Sequence, residues 1–306
     1  MKKKIIGWLM ASACALTMLA GCGNQQEKTA PATEAATEAE AAEPEKKVET
    51  VDPSEEAAEE EETNENELTV CTTKGTTFDI LNQAVKPMKD AGITLTIYEE
   101  ADYLYPNLYV DGEIADANYF QHTVYLDYFN QMMDTDIVGV GEVHFEPLAI
   151  YPARCRSLND LKDGDTIVIP GDTTNETRAL KLLEKAGLLS FRPDAGEYLK
   201  TSDISANPHN ISVVPEDASK VASRAGDAAL LVMNGNYAAS AFYSLEKDAL
   251  FKEDPADPDV QKYWNIVATR SDLKDDPKVK KLVEVLQSDE IKDYINSSFS
   301  GAAVTN

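Results

Sequence analysis

Residues 166–191, TIVIPGDTTNETRALKLLEKAGLLSF, constrain the fold of this chain more than any other segment. The β-branched run TIVI stops at a Pro-Gly pair, which is typical of a buried strand in an α/β sheet. Apolar residues then recur at helical spacing as far as Ala186, and Gly187 follows where a helix would end. Because Thr173 and Asn175 are N-cap residue types, the helix should begin near them. The segment therefore predicts a strand, a tight turn and an amphipathic helix.

Arg178 lies in the first turn or so of that predicted helix. A helix N-terminus carries partial positive charge and disfavours a cation. A bound carboxylate or phosphate would resolve the conflict, because free backbone N–H groups, the helix dipole and the guanidinium would all face it. A solvated surface arginine explains the residue equally well, so both interpretations stay open on these residues alone.

The N-terminus is typical of an exported protein. A basic start, MKKK, precedes an uncharged apolar run at 5–20, which is short for a membrane span. We interpret residues 1–21 as a signal peptide. The LAGC tetrapeptide that ends at Cys22 resembles the lipobox of bacterial lipoproteins, which implies that Cys22 is acylated and becomes the first residue of the mature protein. An ordinary signal peptide followed by an incidental cysteine is the alternative.

The range 22–67 is predicted to be a lipid-anchored, acidic, disordered linker. Residues 23–67 carry sixteen acids and three lysines, a net charge of −13, with almost no bulky apolar residue. Such a segment cannot bury enough surface to offset the entropy of ordering it. The chain from Leu68 onward still carries a net charge of −16. Nucleic-acid binding requires a basic face, so nucleic acid is excluded as a partner.

Two cysteines remain for the folded part, Cys71 and Cys155, 84 residues apart. Outside the cytoplasm they would be free to form a disulfide. Two buried thiols are at least as consistent with the sequence. Both possibilities stay open at this point.

The remaining pattern predicts an α/β fold. Strand, helix and strand follow one another at 68–71, 78–91 and 92–98, an order that predicts parallel strands joined by a right-handed crossover. A helix is also expected over 216–225. Further strands are predicted at 137–145, 210–214, 228–233 and 263–270, and closing helices at 276–286 and 289–295.

Several polar and aromatic residues fall where predicted strands end, which is where ligands bind in open α/β sheets. They are Tyr103, Phe120, His122, Arg178, Asn234 and Asn265. One guanidinium, two amides and aromatic rings would suit a zwitterion with an apolar side chain. Each residue also has an ordinary role, because rings fill cores, histidines occupy loops and asparagines form turns. The pattern alone does not decide between these interpretations.

A family resemblance adds to this pattern. The chain resembles the methionine-binding lipoproteins that supply ABC importers, in unbroken order from about Leu68 to the C-terminus. The segments that carry the resemblance are 116–122, 125–127, 157–161, 169–175, 178–180, 185–188, 234–238, 247–251 and 287–290, in addition to the lipobox.

The resemblance implies a two-lobed periplasmic-binding-protein type II fold. Each lobe would be a mostly parallel sheet flanked by helices, with the ligand in the cleft between the lobes. Lobe I would comprise 68–147 and 239–306, and lobe II 148–238. The chain would cross between the lobes near 146–149 and near 237–239.

The resemblance also implies a ligand site. Arg178 would hold the carboxylate of the ligand, with Asn175 beside it at the helix start. Asn234 and Asn265 would hold the polar end, and the side chain would be enclosed by Tyr103, Phe120, His122 and Tyr125. On this basis we expect Arg178→Ala to remove ligand binding and to leave the stability of the ligand-free protein nearly unchanged.

The implied protein is a solute-binding protein anchored by Cys22 at the extracytoplasmic face of the cell membrane. It would deliver methionine, or a close apolar amino acid, to an ABC permease without a cofactor. Two departures from the family pattern leave the side chain of the ligand open. The turn at 72–78 brings in Lys74, and one residue is inserted near 114–115.

The sequence is less consistent with other classes of function. No nucleophile motif or metal-ligand spacing is visible, and the three histidines lie far apart in sequence, which weakens both an enzyme and a zinc-capture protein. A different amino-acid or dipeptide ligand, or an adhesion or scaffold lipoprotein, remains as the alternative.

Overall fold

The computed structural model describes residues 66–305, all of which belong to one compact unit. The predicted signal peptide, the lipidation site Cys22 and nearly all of the predicted linker lie outside the described residues, so these interpretations stay predictions. Within the described range, no helix has both the length and the apolar composition that a membrane crossing requires. Cys71 and Cys155 are buried free thiols, which settles the question of their pairing.

Twelve strands occur between residues 66 and 305. Their bounds are β1 Glu67–Thr73, β2 Thr94–Glu100, β3 Ala117–His122, β4 Ile137–Phe145, β5 Ala149–Pro152, β6 Thr166–Pro170, β7 Ser190–Phe191, β8 Ile204–Ala206, β9 Ser212–Glu216, β10 Leu230–Met233, β11 Phe251–Lys252 and β12 Trp264–Arg270. Ten of these described strands form two five-stranded sheets, in the orders β2-β1-β3-β12-β4 and β11-β5-β10-β6-β9. The two short strands β7 and β8 pair with each other.

Eight α-helices occur in the same range. Their bounds are α1 Thr76–Asp90, α2 Leu104–Asp111, α3 Thr123–Met133, α4 Thr173–Lys185, α5 Gly235–Ser240, α6 Leu245–Asp248, α7 Pro277–Leu286 and α8 Asp289–Ser298. Strands and helices alternate along the chain, which gives the predicted α/β class.

Both large sheets are mixed. β1 runs parallel to β2 and β3, as the strand–helix–strand order predicts, whereas β12 runs antiparallel to β3 and β4. In the second sheet β6 is parallel to β9 and β10, whereas β5 is antiparallel to β10 and β11. The expectation of mostly parallel sheets is corrected accordingly: within the described residues, half of the pairings in each sheet are antiparallel.

Each sheet has its own hydrophobic core. α1 buries Ile80, Leu81 and Met88 against the first sheet and the closing helices α7 and α8. α4 buries Leu180 and Leu183 in a separate core on the second sheet. The two cores agree with the two-lobed arrangement that the sequence predicts, although the lobe boundaries themselves stay a prediction.

One element lies in a different sheet from the one expected. The range 239–306 was assigned to lobe I, but β11 within it pairs antiparallel with Ile150 and Ala149 of the second sheet. The chain therefore contributes a further strand to the second sheet before β12 returns to the first sheet. This placement matters for the site, because Glu253 follows directly after β11.

The region 216–225 does not form the predicted α-helix. Glu216 ends β9, and only a 3-10 helix over Val221–Gly226 follows. Asp217 accepts hydrogen bonds from the backbone N–H and the hydroxyl of Ser219, at 3.0 and 2.7 Å, and so stabilises a turn in place of a first helical turn. The Asn-Gly pair at 234–235 lies where α5 begins, with Asn234 as the N-cap and Gly235 as the first residue of the helix.

Candidate functional site

A central cavity lies between the two sheets, where β3, β4 and β10 end and α4 begins. We use this name for the space lined by Thr77, Tyr103, Phe120, Gln121, His122, Tyr125, Glu146, Asn175, Arg178, Asn234, Gly235, Asn236 and Asn265. All eight residues proposed from the sequence are among them. The cavity contains about 400 Å³ not filled by protein atoms, part of it open to solvent, but only about 20 Å³ admits the centre of a water molecule. Space for roughly one water is left, so a larger ligand requires side chains to move.

The start of α4 is fixed by Asp172, which the sequence analysis did not single out. Its carboxylate accepts a hydrogen bond from the backbone N–H of Asn175 at 3.0 Å, the usual geometry of an N-cap. It also accepts from the side chains of Thr174, at 3.1 Å, and Asn175, at 3.0 Å to each carboxylate oxygen. Burial raises the pKa of Asp172, and these hydrogen bonds oppose that effect.

Asn175 connects this cap to two residues of the cavity. Its Oδ1 accepts from Nδ2 of Asn234 at 2.9 Å and lies 3.4 Å from Nε2 of His122. The other ring nitrogen of His122, Nδ1, accepts from the backbone N–H of Tyr125 at 3.1 Å. The ring therefore carries its proton on Nε2. Burial, together with the positive charge of Arg178, lowers the pKa of His122 to about 3, so the imidazole is neutral at physiological pH.

Arg178 does not lie in the first turn of α4 and is not a solvated surface residue. It is the sixth residue of the helix, and 4 % of its side chain is exposed. Its Nε donates to Oε1 of Glu253 at 2.8 Å, and its Nη2 donates to Oε2 of Glu253 at 2.5 Å and to the carbonyl oxygen of Glu146 at 2.9 Å. The guanidinium also packs over the Tyr263 ring, 4.4 Å from its centroid.

This pairing corrects the electrostatic argument drawn from the sequence. Burial alone would lower the pKa of Arg178, but the charge and hydrogen bonds of Glu253 outweigh burial and raise it. A protein carboxylate therefore balances the guanidinium, and no anion at the helix end is needed for that purpose. Among the described residues, no hydrogen bond uses Nη1 of Arg178. That nitrogen remains available on a residue that lines the cavity.

Glu146 is the acid among the residues that line the cavity, and 7 % of it is exposed. Its Oε2 accepts from the backbone N–H of Asn236 at 2.7 Å, and its Oε1 lies 3.0 Å from Nε2 of His144. Because a carboxylate only accepts, Nε2 of His144 is the donor. The hydroxyl of Tyr119 then donates to Nδ1 of His144 at 2.5 Å, since burial and the charge of Glu146 keep the pKa of Tyr119 well above its ordinary range.

Aromatic rings form one wall of the cavity. The centroid of the Tyr103 ring lies 5.9 Å from that of Phe120, 6.1 Å from that of Tyr125 and 4.9 Å from that of Tyr237. The Tyr103 hydroxyl donates to Oδ1 of Asn236 at 2.6 Å. These distances lie within the range of favourable aromatic pairs.

Asn265 completes the predicted set at the start of β12. It lies opposite His122 in one neighbouring strand and opposite His144 in the other. The register with β4 shifts directly after it, an irregularity that is common beside functional sites.

Two buried polar atoms of the cavity residues have no hydrogen-bond partner among the described residues. They are Oδ1 of Asn234, an acceptor, and Nδ2 of Asn236, a donor. An unsatisfied buried polar atom costs about 1–3 kcal/mol, so such atoms are uncommon unless a ligand satisfies them. The cavity thus offers one unused acceptor and one unused donor, close to the anionic Glu146 and the cationic Arg178.

Sequence reasoning missed four residues that organise this site. Glu146 follows directly after β4 and precedes a proline, and Asn236 stands two residues after Asn234, so the sequence offered a signal at both positions. Asp172 was visible as an N-cap residue type next to the residues chosen. Glu253 gave no local signal, because it lies 75 residues from its partner Arg178.

The chain is similar in sequence and in structure to known lipoproteins and substrate-binding proteins. The model of the NlpA lipoprotein family matches residues 68–306. The D-methionine-binding lipoprotein MetQ of Salmonella typhimurium is 35% identical over 247 residues, 80% of this chain and 90% of that protein. Two solved structures each have a TM-score of 0.72 and cover 78% of this chain. One is an ABC transporter periplasmic substrate-binding protein from Coxiella burnetii, 34% identical and covered to 99%. The other is a nutrient binding protein from Burkholderia cenocepacia bound to methionine, 32% identical and covered to 98%.

Proposed function

The chain belongs to the NlpA lipoprotein family, and from this premise we propose that it is the solute-binding protein of an ABC importer, which captures methionine or a close apolar amino acid in the central cavity. The observation that carries the proposal is the pair of unsatisfied buried atoms, Oδ1 of Asn234 and Nδ2 of Asn236. A free α-amino acid has the matching groups, an ammonium that only donates and a carboxylate that only accepts.

The ammonium end of the ligand is assigned to Asn234 and Glu146. Oδ1 of Asn234 offers an unused acceptor, and Glu146 offers negative charge. Each Glu146 oxygen already accepts one hydrogen bond, and a carboxylate oxygen has room for a second. Pairing this buried charge with an ammonium gives charge-assisted hydrogen bonds, which are about twice as strong as neutral ones.

The carboxylate end is assigned to Arg178 and Asn236. Because Glu253 occupies Nε and Nη2 of the guanidinium, the ligand would approach Nη1. Nδ2 of Asn236 supplies a second donor. Asn175 acts through Asn234, from whose Nδ2 it accepts a hydrogen bond, and Asn265 lines the same cavity.

The aromatic wall is assigned to the side chain of the ligand. A thioether near aromatic rings gains roughly 0.3–1.5 kcal/mol, which suits methionine. Since the rings of Tyr103, Phe120 and Tyr125 now contact one another, entry of the ligand requires them to separate. We propose that the two lobes, each built on one of the five-stranded sheets, open to admit the ligand and close around it.

The assignment as a binding protein, and not an enzyme, is supported by the relatives, whose names describe binding and transport. Their names also describe lipoproteins and a periplasmic protein, which supports an extracytoplasmic location. We further propose that acylation at Cys22 holds the protein on the membrane, where it delivers its ligand to the permease.

Calorimetry on refolded, ligand-free protein tests the proposal. We expect saturable binding of methionine and much weaker binding of 4-(methylthio)butanoate, which lacks the ammonium group. Glu146→Gln should reduce methionine affinity by roughly tenfold or more, because a charged hydrogen-bond partner is lost. Glu142→Gln, on the exposed side of β4, is the matched control and should bind as wild type. Failure of every free amino acid to bind would favour the adhesion or scaffold alternative.

A further inference from the structure

We propose that Asp172 sets the polarity of the central cavity: through Asn175 it orients the Asn234 amide so that an acceptor, and not a donor, faces the ligand. We call Asp172, Asn175 and Asn234 the amide relay. Its selectivity for an ammonium group rests on the proposed function, whereas the orientation of its amides does not. Asp172 itself is a positioning residue, because Asn175 and Asn234 line the cavity and Asp172 does not.

The first link of the amide relay is determined by the chemistry of a carboxylate. Nδ2 of Asn175 lies 3.0 Å from each oxygen of Asp172. A carboxylate has no proton to donate, so the NH₂ group of Asn175 must face it. The opposite orientation would place Oδ1 of Asn175 against two acceptor oxygens. The amide is therefore held with Oδ1 pointing away from Asp172.

The second link follows from the first. Oδ1 of Asn175 meets Nδ2 of Asn234 at 2.9 Å and Nε2 of His122 at 3.4 Å. His122 carries its proton on Nε2, because Nδ1 accepts from the backbone N–H of Tyr125. Asn175 thus faces two donors, and Asn234 is forced to direct its own NH₂ group towards Asn175. This arrangement leaves Oδ1 of Asn234 buried and without a partner among the described residues.

The amide relay carries a consequence for specificity. An ammonium donates to an acceptor but cannot accept, so it fits Oδ1 of Asn234 and would repel an NH₂ group in the same place. A hydroxyl both donates and accepts and would fit either orientation. Reversing the relay should therefore impair binding of an α-amino acid much more than binding of the corresponding 2-hydroxy acid.

The competing explanation is that Asp172 serves only as the N-cap of α4. Asn separates the two roles, because it caps helices about as well as Asp but presents an NH₂ group on one side. In Asp172→Asn, the new side chain can accept from the backbone N–H of residue 175 with its oxygen. Its NH₂ group would then face Asn175 and favour reversal of that amide, and of Asn234 after it.

The matched control is Asp276→Asn. Asp276 caps α7 by accepting from the backbone N–H groups of Lys278 and Val279, at 2.7 and 3.3 Å, and it does not line the central cavity. We expect both variants to melt close to wild type. By calorimetry, Asp172→Asn should lose roughly ten- to a hundredfold in methionine affinity and change little for 2-hydroxy-4-(methylthio)butanoate. Asp276→Asn should retain the wild-type ratio of the two affinities. Equal losses for both ligands in Asp172→Asn would overturn the proposal.

A ligand-free measurement tests the amide relay even if methionine does not bind. The ring-nitrogen NMR signals of His122 report its tautomer and hydrogen bonding. Wild type and Asp276→Asn should show the form protonated on Nε2. In Asp172→Asn these signals should change, because the reversed Asn175 amide presents a donor to that proton.

A second variant is available if Asp172→Asn does not fold. Asp172→Ser keeps a capping oxygen but cannot hold the Asn175 amide on two sides, so it should show the same loss of methionine affinity and the same change in the His122 signals. Unchanged His122 signals in a folded variant would refute the amide relay.

Discussion

Substitution of Arg178 should affect both stability and binding, and the two effects can be separated. The sequence alone suggested that Arg178→Ala would leave the ligand-free protein unchanged. The structure contradicts this expectation, because the guanidinium and Glu253 form a bidentate pair in which both side chains are about 95 % buried. Arg178→Ala leaves Glu253 as an uncompensated charge in the protein interior.

The size of the effect follows from the burial of the pair. Removing one partner of a buried ion pair costs about 3–5 kcal/mol. For a folded unit of this size, 1 kcal/mol corresponds to about 2–4 °C in melting temperature, so Arg178→Ala should melt roughly 6–20 °C below wild type. Arg154→Ala is the control: Arg154 also pairs with a carboxylate, that of Asp165, but the Arg154 side chain is half exposed, and we expect little change.

A double variant separates the structural role of Arg178 from its role in binding. In Arg178→Met with Glu253→Gln, neither side chain is charged, and the Gln oxygen can still accept from the backbone N–H of Leu148, as Glu253 does at 2.8 Å. Most of the lost stability should return. Methionine affinity should remain reduced by roughly thirty- to several-thousand-fold, because the carboxylate partner is absent. Differential scanning calorimetry and titration of refolded protein measure the two quantities. If Arg178→Ala melts with wild type, or the double variant binds methionine normally, the reasoning is wrong.

Three further predictions concern other residues. Phe120→Ala should weaken methionine binding about fivefold more than alanine binding in calorimetry, because only the longer side chain reaches the aromatic wall; equal losses would argue against that wall. Cys22→Ser should release the protein from membrane fractions, whereas Cys14→Ser, within the predicted signal peptide, should not; retention of the Cys22 variant would exclude anchoring there. The folded protein keeps His122 neutral while the unfolded chain protonates it below about pH 6.5, so this residue costs stability as the pH falls towards 3. His122→Gln should therefore reduce the slope of unfolding free energy between pH 6 and 4 by about 1.4 kcal/mol per pH unit, and an unchanged slope would contradict a neutral, buried His122.

Local signals in the sequence predict much of this fold. The strand–turn–helix at 166–191 is present as β6 and α4, with Gly187 in the left-handed conformation (φ +75°) just beyond the helix, where a side chain would be strained. β4 has the predicted bounds, Ile137–Phe145. The prediction of an α-helix at 216–225 was wrong, because a helix-forming composition does not reveal that Asp217 stabilises a turn.

The residues of the candidate site were predicted better than their interactions. Motif resemblance brought all eight proposed residues to one cavity, but it said nothing about how the charges within that cavity are balanced. Glu253 reaches Arg178 because β11 joins the second sheet. This is a long-range contact, and the residues around Glu253 in the sequence do not predict it. The orientation of Asn234 likewise depends on a chain of donors and acceptors that begins at Asp172.

The identity of the bound molecule tests the central claim most directly. The full-length protein, purified from its membrane without added amino acids, would be denatured and the released small molecules identified by mass spectrometry, with chiral separation of any amino acid found. Arg178→Ala, prepared in the same way, is the control for adventitious material. We expect methionine, or a close apolar amino acid, in near-equimolar amount from wild type and little from the variant. Release of no amino acid from wild type, or of equal amounts from both proteins, would contradict the assignment of the central cavity as an amino-acid site.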